Sequence, residues 1–137
     1  MNRPLLLDTC VCVWLMTEEL SRAAKEVLAD AYTAQLSVYI SPITALEIAI
    51  MSRKKRFKSP VDPANWFAAL IGQPGMVLAP MPPKVLIDSQ RLPDYPKNDP
   101  YDRIVAATAR EYDFILATSD QAIVDYGNRG YLSVLEC

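Results

Sequence analysis

A three-layer α/β/α sandwich with a mostly parallel central sheet is the fold class this sequence predicts, and three observations predict it. Short apolar runs of the kind shown by strands buried on both faces, such as Leu5-Leu6-Leu7, Val38-Tyr39-Ile40 and Phe114-Ile115-Leu116-Ala117, alternate with longer stretches of helical spacing. Helix starts are written as Ser41-Pro42 and Asp99-Pro100, where a side-chain oxygen can cap an orphan N–H and proline has no N–H to lose. The chain has 137 residues, of which 51% are hydrophobic, enough for one core and too few for two. Residues 1–137 are therefore read as a single domain.

In chain order, Pro4 to Leu7 is the first strand, and Asp8 stands at its carboxyl end before a short helix reaching Trp14. Ser21 caps an amphipathic helix with Ala24, Val27, Leu28 and Ala31 on one face and Arg22, Lys25, Glu26 and Asp30 on the other. Val38 to Ile40 is the second strand. Ser41-Pro42 opens a helix through Met51 in which Glu47 is the only charge. A solitary acid in an apolar run is costly to bury unless something pairs with it. The local alternative is a Thr44–Glu47 capping box, which fits the T-x-x-E spacing. Arg53, Lys54, Lys55 and Arg56 follow, and two readings stand for them: a helix end favoured by its dipole, or a patch contacting phosphate.

Pro63 to Ile71 reads as a helix packing Trp66 and Phe67, Gly75 to Ala79 as a third strand, and Pro82 to Ser89 as another helix. A proline-rich loop from Leu92 to Lys97 then leads to the stretch around which the rest is organised, Asn98 to Asp120. Asp99-Pro100 starts a helix whose body, Ile104 to Ala109, is nearly free of charge and must be buried on more than one side. Glu111 to Asp113 ends it. The strand Phe114 to Ala117 delivers Ser119-Asp120 at its carboxyl end. A short helix with Ala122, Ile123 and Tyr126 follows, then a turn over Gly127 to Gly130 and a last strand over Leu132 to Leu135.

Composition excludes several chemistries. There is no histidine, which removes Ser-His and Cys-His nucleophiles, His-ligated zinc and imidazole acid–base catalysis together. The three cysteines, Cys10, Cys12 and Cys137, form no C-x-x-C and read as free thiols in a reducing compartment. A net charge of −2 argues against binding nucleic acid by bulk electrostatics. Residues 1–7 are too short of apolar side chains for a leader, and no apolar stretch approaches the ~20 residues of a membrane span, so a cytoplasmic protein with no membrane contact is expected.

What remains is carboxylate chemistry. Asp8 and Asp120 follow buried strands, Asp102 lies in the first turn of the central helix, and Glu47 reaches in from its own helix. In parallel sheets the crevice outside the strand ends is where ligands bind. Close carboxylates repel one another and persist together mainly when a cation neutralises them, and a hard cation with oxygen ligands, Mg²⁺ or its usual substitute Mn²⁺, suits the set.

At these residues the chain resembles a known family. Leu7-Asp8-Thr9 with Trp14, Ser41-Pro42 through Glu47-Ile48-Ala49, Asp99-Pro100-Tyr101-Asp102-Arg103 with Ala106 to Ala109, and Thr118-Ser119-Asp120 look like the motifs of PIN-domain proteins. The subgroup they resemble is the VapC-type toxins of bacterial toxin–antitoxin pairs. The resemblance implies a Mg²⁺-dependent endoribonuclease with Asp8, Glu47, Asp102 and Asp120 as its catalytic acids. It implies Asp8, Asp102 and Asp120 as metal ligands, with Asp99 either a further ligand or a helix cap. Arg103, Thr9 and Ser119, and the basic run Arg53 to Arg56, are expected to face substrate. The implied partners are RNA, a cognate antitoxin and a second copy in a homodimer. The antitoxin's expected receiving surface is the apolar helix near Glu47 together with the one around Trp66-Phe67.

One departure stands out. Many relatives carry a His shortly before the D-P-x-D-R motif, whereas this loop reads Asp94-Tyr95-Pro96-Lys97-Asn98. Two rival classes stand beside the toxin: a PIN nuclease of RNA processing without an antitoxin, and a non-catalytic PIN scaffold, against which the intact acidic quartet argues. A phosphoacceptor receiver domain would need paired acids after the first strand and a Lys after a late one, and the sequence has neither.

Overall fold

The structure, a computed structural model, describes residues 3–137, so the first two residues of the stretch read above as too polar for a leader lie outside it. Among the described residues the elements run β1 (Leu5–Leu7), α1 (Thr9–Thr17), α2 (Arg22–Thr33), β2 (Val38–Ile40), α3 (Pro42–Arg53), α4 (Pro63–Ile71), β3 (Met76–Leu78), α5 (Pro83–Asp88), α6 (Pro100–Tyr112), β4 (Ile115–Thr118), α7 (Gln121–Asn128) and β5 (Ser133–Glu136). The five strands form one sheet in the order β3-β2-β1-β4-β5, and every pairing is parallel. The expected mostly parallel sheet is thus wholly parallel.

Alternation along β1 divides the core. Leu5 and Leu7 face one side, where α1, α2 and α4 add Val11, Ala24, Ala31, Trp66 and Leu70; Leu6 faces the other, where α6 and α7 add Val105, Ala106, Ala109, Ile123 and Tyr126. Helix α3 serves both, giving Ile48 to the first cluster and Ile43 to the second. Ala106, Ala107 and Ala109 are small enough for α6 to lie close on the sheet, and all are buried.

Two local expectations change. The turn expected at Gly127 is the last full turn of α7, and the chain reverses only at Gly130, with φ 91°. Glycine is required at 127 for space: a Cβ there would sit 1.8 Å from Val134 Cγ2 of β5. The Thr44–Glu47 capping box does not form either. Ser41 caps α3 by accepting the Ile43 N–H at 3.1 Å, and Thr44 is a buried residue inside the helix.

What positions a site is the centre of the sheet. From β1 the chain crosses to β2 on one side, while β4 pairs with β1 on the other, with Leu7 opposite Ile40 and Ala117. The crevice at the carboxyl ends of β1 and β4 is the place where strand order reverses.

Candidate active site

Asp8 leaves β1 and immediately caps α1. Its Oδ1 accepts the Thr9 N–H at 2.9 Å, and its Oδ2 accepts the hydroxyl of Thr118, the last residue of β4, at 2.7 Å. The residue is only 6% exposed. Burial pushes its carboxyl up, against the hydrogen bonds from Thr118 and Thr9, and the nearby Asp120 charge adds to the rise.

Asp120 repeats the pattern one strand away. Its Oδ1 takes the Ala122 and Ile123 N–H groups at the start of α7, at 2.9 and 3.4 Å, while its Oδ2 faces the Lys97 ammonium. Burial works to raise this carboxyl, but the hydrogen bond and charge of Lys97 outweigh it and hold the group below its ordinary value.

Asp102 enters from the first turn of α6, with Oδ2 accepting Lys97 Nζ at 2.5 Å. Burial raises its carboxyl, against the Lys97 bond, and Asp8 raises it further. Lys97 thus bridges two of the acids. Its ammonium is held charged because those bonds more than offset the cost of burial.

Glu47 comes from the opposite wall on α3. Its Oε1 accepts the Thr9 hydroxyl at 2.7 Å, and that hydroxyl also lies 2.9 Å from Thr44 Oγ1. Burial pushes Glu47 up to about 7 despite the Thr9 bond, with the charges of Asp8, Asp102 and Asp99 contributing. A carboxyl near neutrality can hold or release a proton under physiological conditions.

All four acids, with Thr9 and Ser119, line one open cleft of about 450 Å³ whose remaining wall is Cys10, Val13, Trp14 and Met51. The Cys10 thiol lies 3.3 Å from Ser119 Oγ, and burial raises it, so it is no ready nucleophile.

The other residues singled out in the sequence lie elsewhere. Asp99 is exposed, and its Oδ1 accepts the Tyr101 and Asp102 N–H groups at 2.8 and 3.2 Å, which makes it the cap of α6. Arg103 turns away from the cleft: it donates to the Lys97 carbonyl at 2.9 Å and the Ser89 carbonyl at 3.1 Å, and its guanidinium lies 5.3 Å over the Tyr95 ring. Arg53, Lys54, Lys55 and Arg56 are exposed at the end of α3, beyond Met51 of the cleft wall. Trp66 belongs to the core, packed edge-on against Phe57, whereas Leu46 of α3 is 46% exposed.

Sequence reasoning missed Lys97 and Thr118 as parts of the site. Thr118 was legible only as the residue before Ser119-Asp120. Lys97 had a signal, since it lies in the loop where many relatives have a His, but nothing local shows that its side chain folds back onto Asp102 and Asp120.

Among the described residues no three acidic or thiol side chains gather tightly enough to cage an ion unaided. The donor set nonetheless fits a hard cation. It consists of carboxylate oxygens, and two of the acids already grip an ammonium between them.

A family model described as PIN domain matches residues 5–128. No curated protein matches the sequence. Among solved structures the chain is similar to VapBC2 from Rickettsia felis, bound to a DNA fragment from their promoter, with a TM-score of 0.70 and 14% identity over 97% of this chain and 98% of that one. It is also similar to FitAB bound to an IR36 DNA fragment, with a TM-score of 0.53 and 18% identity over 96% and 94% of the two chains. At these identities the likeness is one of fold.

Proposed function

The chain belongs to the PIN domain family, and from that premise we propose that it is a divalent-metal-dependent endoribonuclease acting in the cytoplasm as the toxin of a toxin–antitoxin pair. The observation that carries the nuclease reading is the convergence of Asp8, Glu47, Asp102 and Asp120 on one cleft at the switch point of the sheet. Nuclease activity is general in this family, and a cleft with no histidine leaves acid–base work to these carboxylates.

Asp8, Asp102 and Asp120 would hold the ion, Mg²⁺ or Mn²⁺, through the oxygens that face the cleft. When bound, such an ion supplies positive charge against the phosphate and acidifies the attacking water. Glu47 then has the role its environment suits. Held near neutrality by burial, it can accept the proton of the water, since a general base works best with a pKa near the working pH. Thr9 fixes the Glu47 head, Thr118 fixes Asp8, and Asp99 aligns the first turn that carries Asp102. The exposed basic run Arg53 to Arg56, at the end of the helix that brings Glu47 and Met51 to the cleft, would receive RNA phosphates on this reading.

The toxin reading is supported by the two similar structures, which are named as VapBC2 and FitAB. An antitoxin and a second copy of this chain are the partners it implies, and the exposed Leu46, next to Glu47 in α3, offers an apolar anchor for the former. Purified protein should cleave RNA with Mg²⁺ or Mn²⁺ and lose that activity in EDTA. Asp8→Asn and Asp102→Asn should abolish cleavage while leaving the circular dichroism spectrum unchanged. EDTA-resistant cleavage would overturn the metal reading. Co-expression with the product of the neighbouring reading frame should restore growth and silence cleavage; growth unaffected by that product would sink the toxin reading alone.

A further inference from the structure

The bridge between Lys97 and two cleft acids serves no purpose in the chemistry just described. A lysine ammonium paired with Asp102 and Asp120 competes with any cation for the same two carboxylates. Nor is it placed by accident. The backbone of Lys97 is anchored through its carbonyl to Arg103 Nε at 2.9 Å, and the same guanidinium lies over the Tyr95 ring, two residues earlier. Tyr95 packs edge-on against Tyr126 of α7 at 4.9 Å, and the Tyr126 hydroxyl donates to the Pro93 carbonyl at 2.6 Å. The stem of the lysine therefore starts from a fixed point. Its side chain is 30% exposed, against 15% for Asp102 and 26% for Asp120, so the stem is not enclosed by the cleft acids. A flexible four-carbon stem can carry the charge out to water while the anchored loop stays put.

Resting on the reading of Asp8, Asp102 and Asp120 as ligands of a divalent ion, we propose that Lys97 is a built-in counter-ion that pairs with two of them, Asp102 and Asp120, and must swing out before the ion can bind. Two consequences follow from charge alone. With Lys97 in place, Asp102 and Asp120 are paired and the metal-free protein escapes part of the repulsion among its acids. The same pairing raises the metal concentration needed to load the site, so the nuclease stays off until the divalent ion outcompetes its own lysine.

The test is Mn²⁺ binding, followed by titration calorimetry and by the electron paramagnetic resonance of free Mn²⁺, in wild type, Lys97→Met, Lys97→Gln and Lys97→Arg. Met keeps the apolar stem and removes the charge, while Gln guards against a Met variant that fails to fold. Both should bind Mn²⁺ about tenfold more tightly than wild type, the equivalent of about 1.4 kcal/mol. Both should also melt lower than wild type in EDTA and gain more from added Mn²⁺. Arg, which keeps the charge, should bind no more tightly than wild type. Equal Mn²⁺ affinity in wild type, Met and Gln variants would overturn the inference and leave the metal reading standing. Failure of wild type and every variant to bind Mn²⁺ would overturn the metal reading and the inference together.

Discussion

Glu47→Gln gives a direct measure of the electrostatic cost of the cleft. The folded protein holds this carboxyl at about 7 against an ordinary 4.5, first through burial and then through Asp8, Asp102 and Asp99. A raised folded value means that the folded state binds the proton more tightly than the unfolded state. Its contribution to stability is complete below pH 4.5 and is lost as the pH climbs towards 7. Each pH unit of displacement is worth about 1.4 kcal/mol, so the displacement caps the effect at roughly 3 kcal/mol. Glu47 retains some contact with water, and screening reduces this to about 1–2 kcal/mol. Gln preserves the shape and can still accept the Thr9 hydroxyl, but it carries no charge to bury. In EDTA at pH 8 the variant should therefore melt about 3–8 °C above wild type, and at about pH 4, below the ordinary carboxylate value, the two should nearly coincide. Thermal scans at the two pH values decide it. A variant no more stable than wild type at pH 8, or equally stabilised at both, would refute the account of Glu47 as a strained, buried acid.

Two further outcomes test the roles of single residues. Asp99→Ala removes the acceptor of two α6 amides and should lower stability by about 1 kcal/mol in chemical denaturation, while metal-dependent RNA cleavage survives; a stable but inactive variant would make Asp99 a ligand rather than a cap. Gly127→Ala would drive a methyl into Val134 and should cost about 1–3 kcal/mol, read as a lowered melting temperature; an unchanged one would mean that α7 and β5 are free to part.

Every strand and helix was legible because each carries its signal locally. Ser21, Ser41 and Asp99, legible as caps in the sequence, cap their helices in the structure, and Asp62 and Asp120 do the same for α4 and α7. The acidic cleft was legible for a related reason, since carboxylates at the ends of neighbouring parallel strands share one edge of the sheet wherever the loops go. Gly127 escaped because glycine marks a turn and a close approach equally well, and only the neighbouring β5 tells which applies. Lys97 and Arg103 escaped because both are long side chains whose destinations lie in tertiary space. Lys97 reaches Asp120, 23 residues away, and Arg103 reaches the Ser89 carbonyl, 14 residues away. Trp66 was half legible: its helix was plain, but whether the indole finished the core or faced a partner depended on Phe57 arriving beside it.

An acid at the end of a strand can cap the following helix and still offer an oxygen to a ligand, as the geometry of Asp8 and Asp120 illustrates. Asp8 and Asp120 each give one oxygen to amides at the start of the following helix and the other to a side chain, the Thr118 hydroxyl and the Lys97 ammonium. The helix fixes the carboxylate plane, so on the proposed metal reading the second oxygen would already be oriented when a cation arrives, and preorganised groups lose nothing to reorientation at the moment of reaction. The same division separates folding from chemistry. Asn is as good a cap as Asp, so Asp8→Asn or Asp120→Asn should keep the N–H acceptor, lose the charge and spare the fold while removing a carboxylate proposed to hold the ion. Ala would lose both, and its inactivity would report on either. Metal removal is the complementary experiment: chelation would withdraw the cation proposed for the cleft but leave the caps of α1 and α7 untouched, so activity should vanish at a chelator concentration that leaves the helical signal intact.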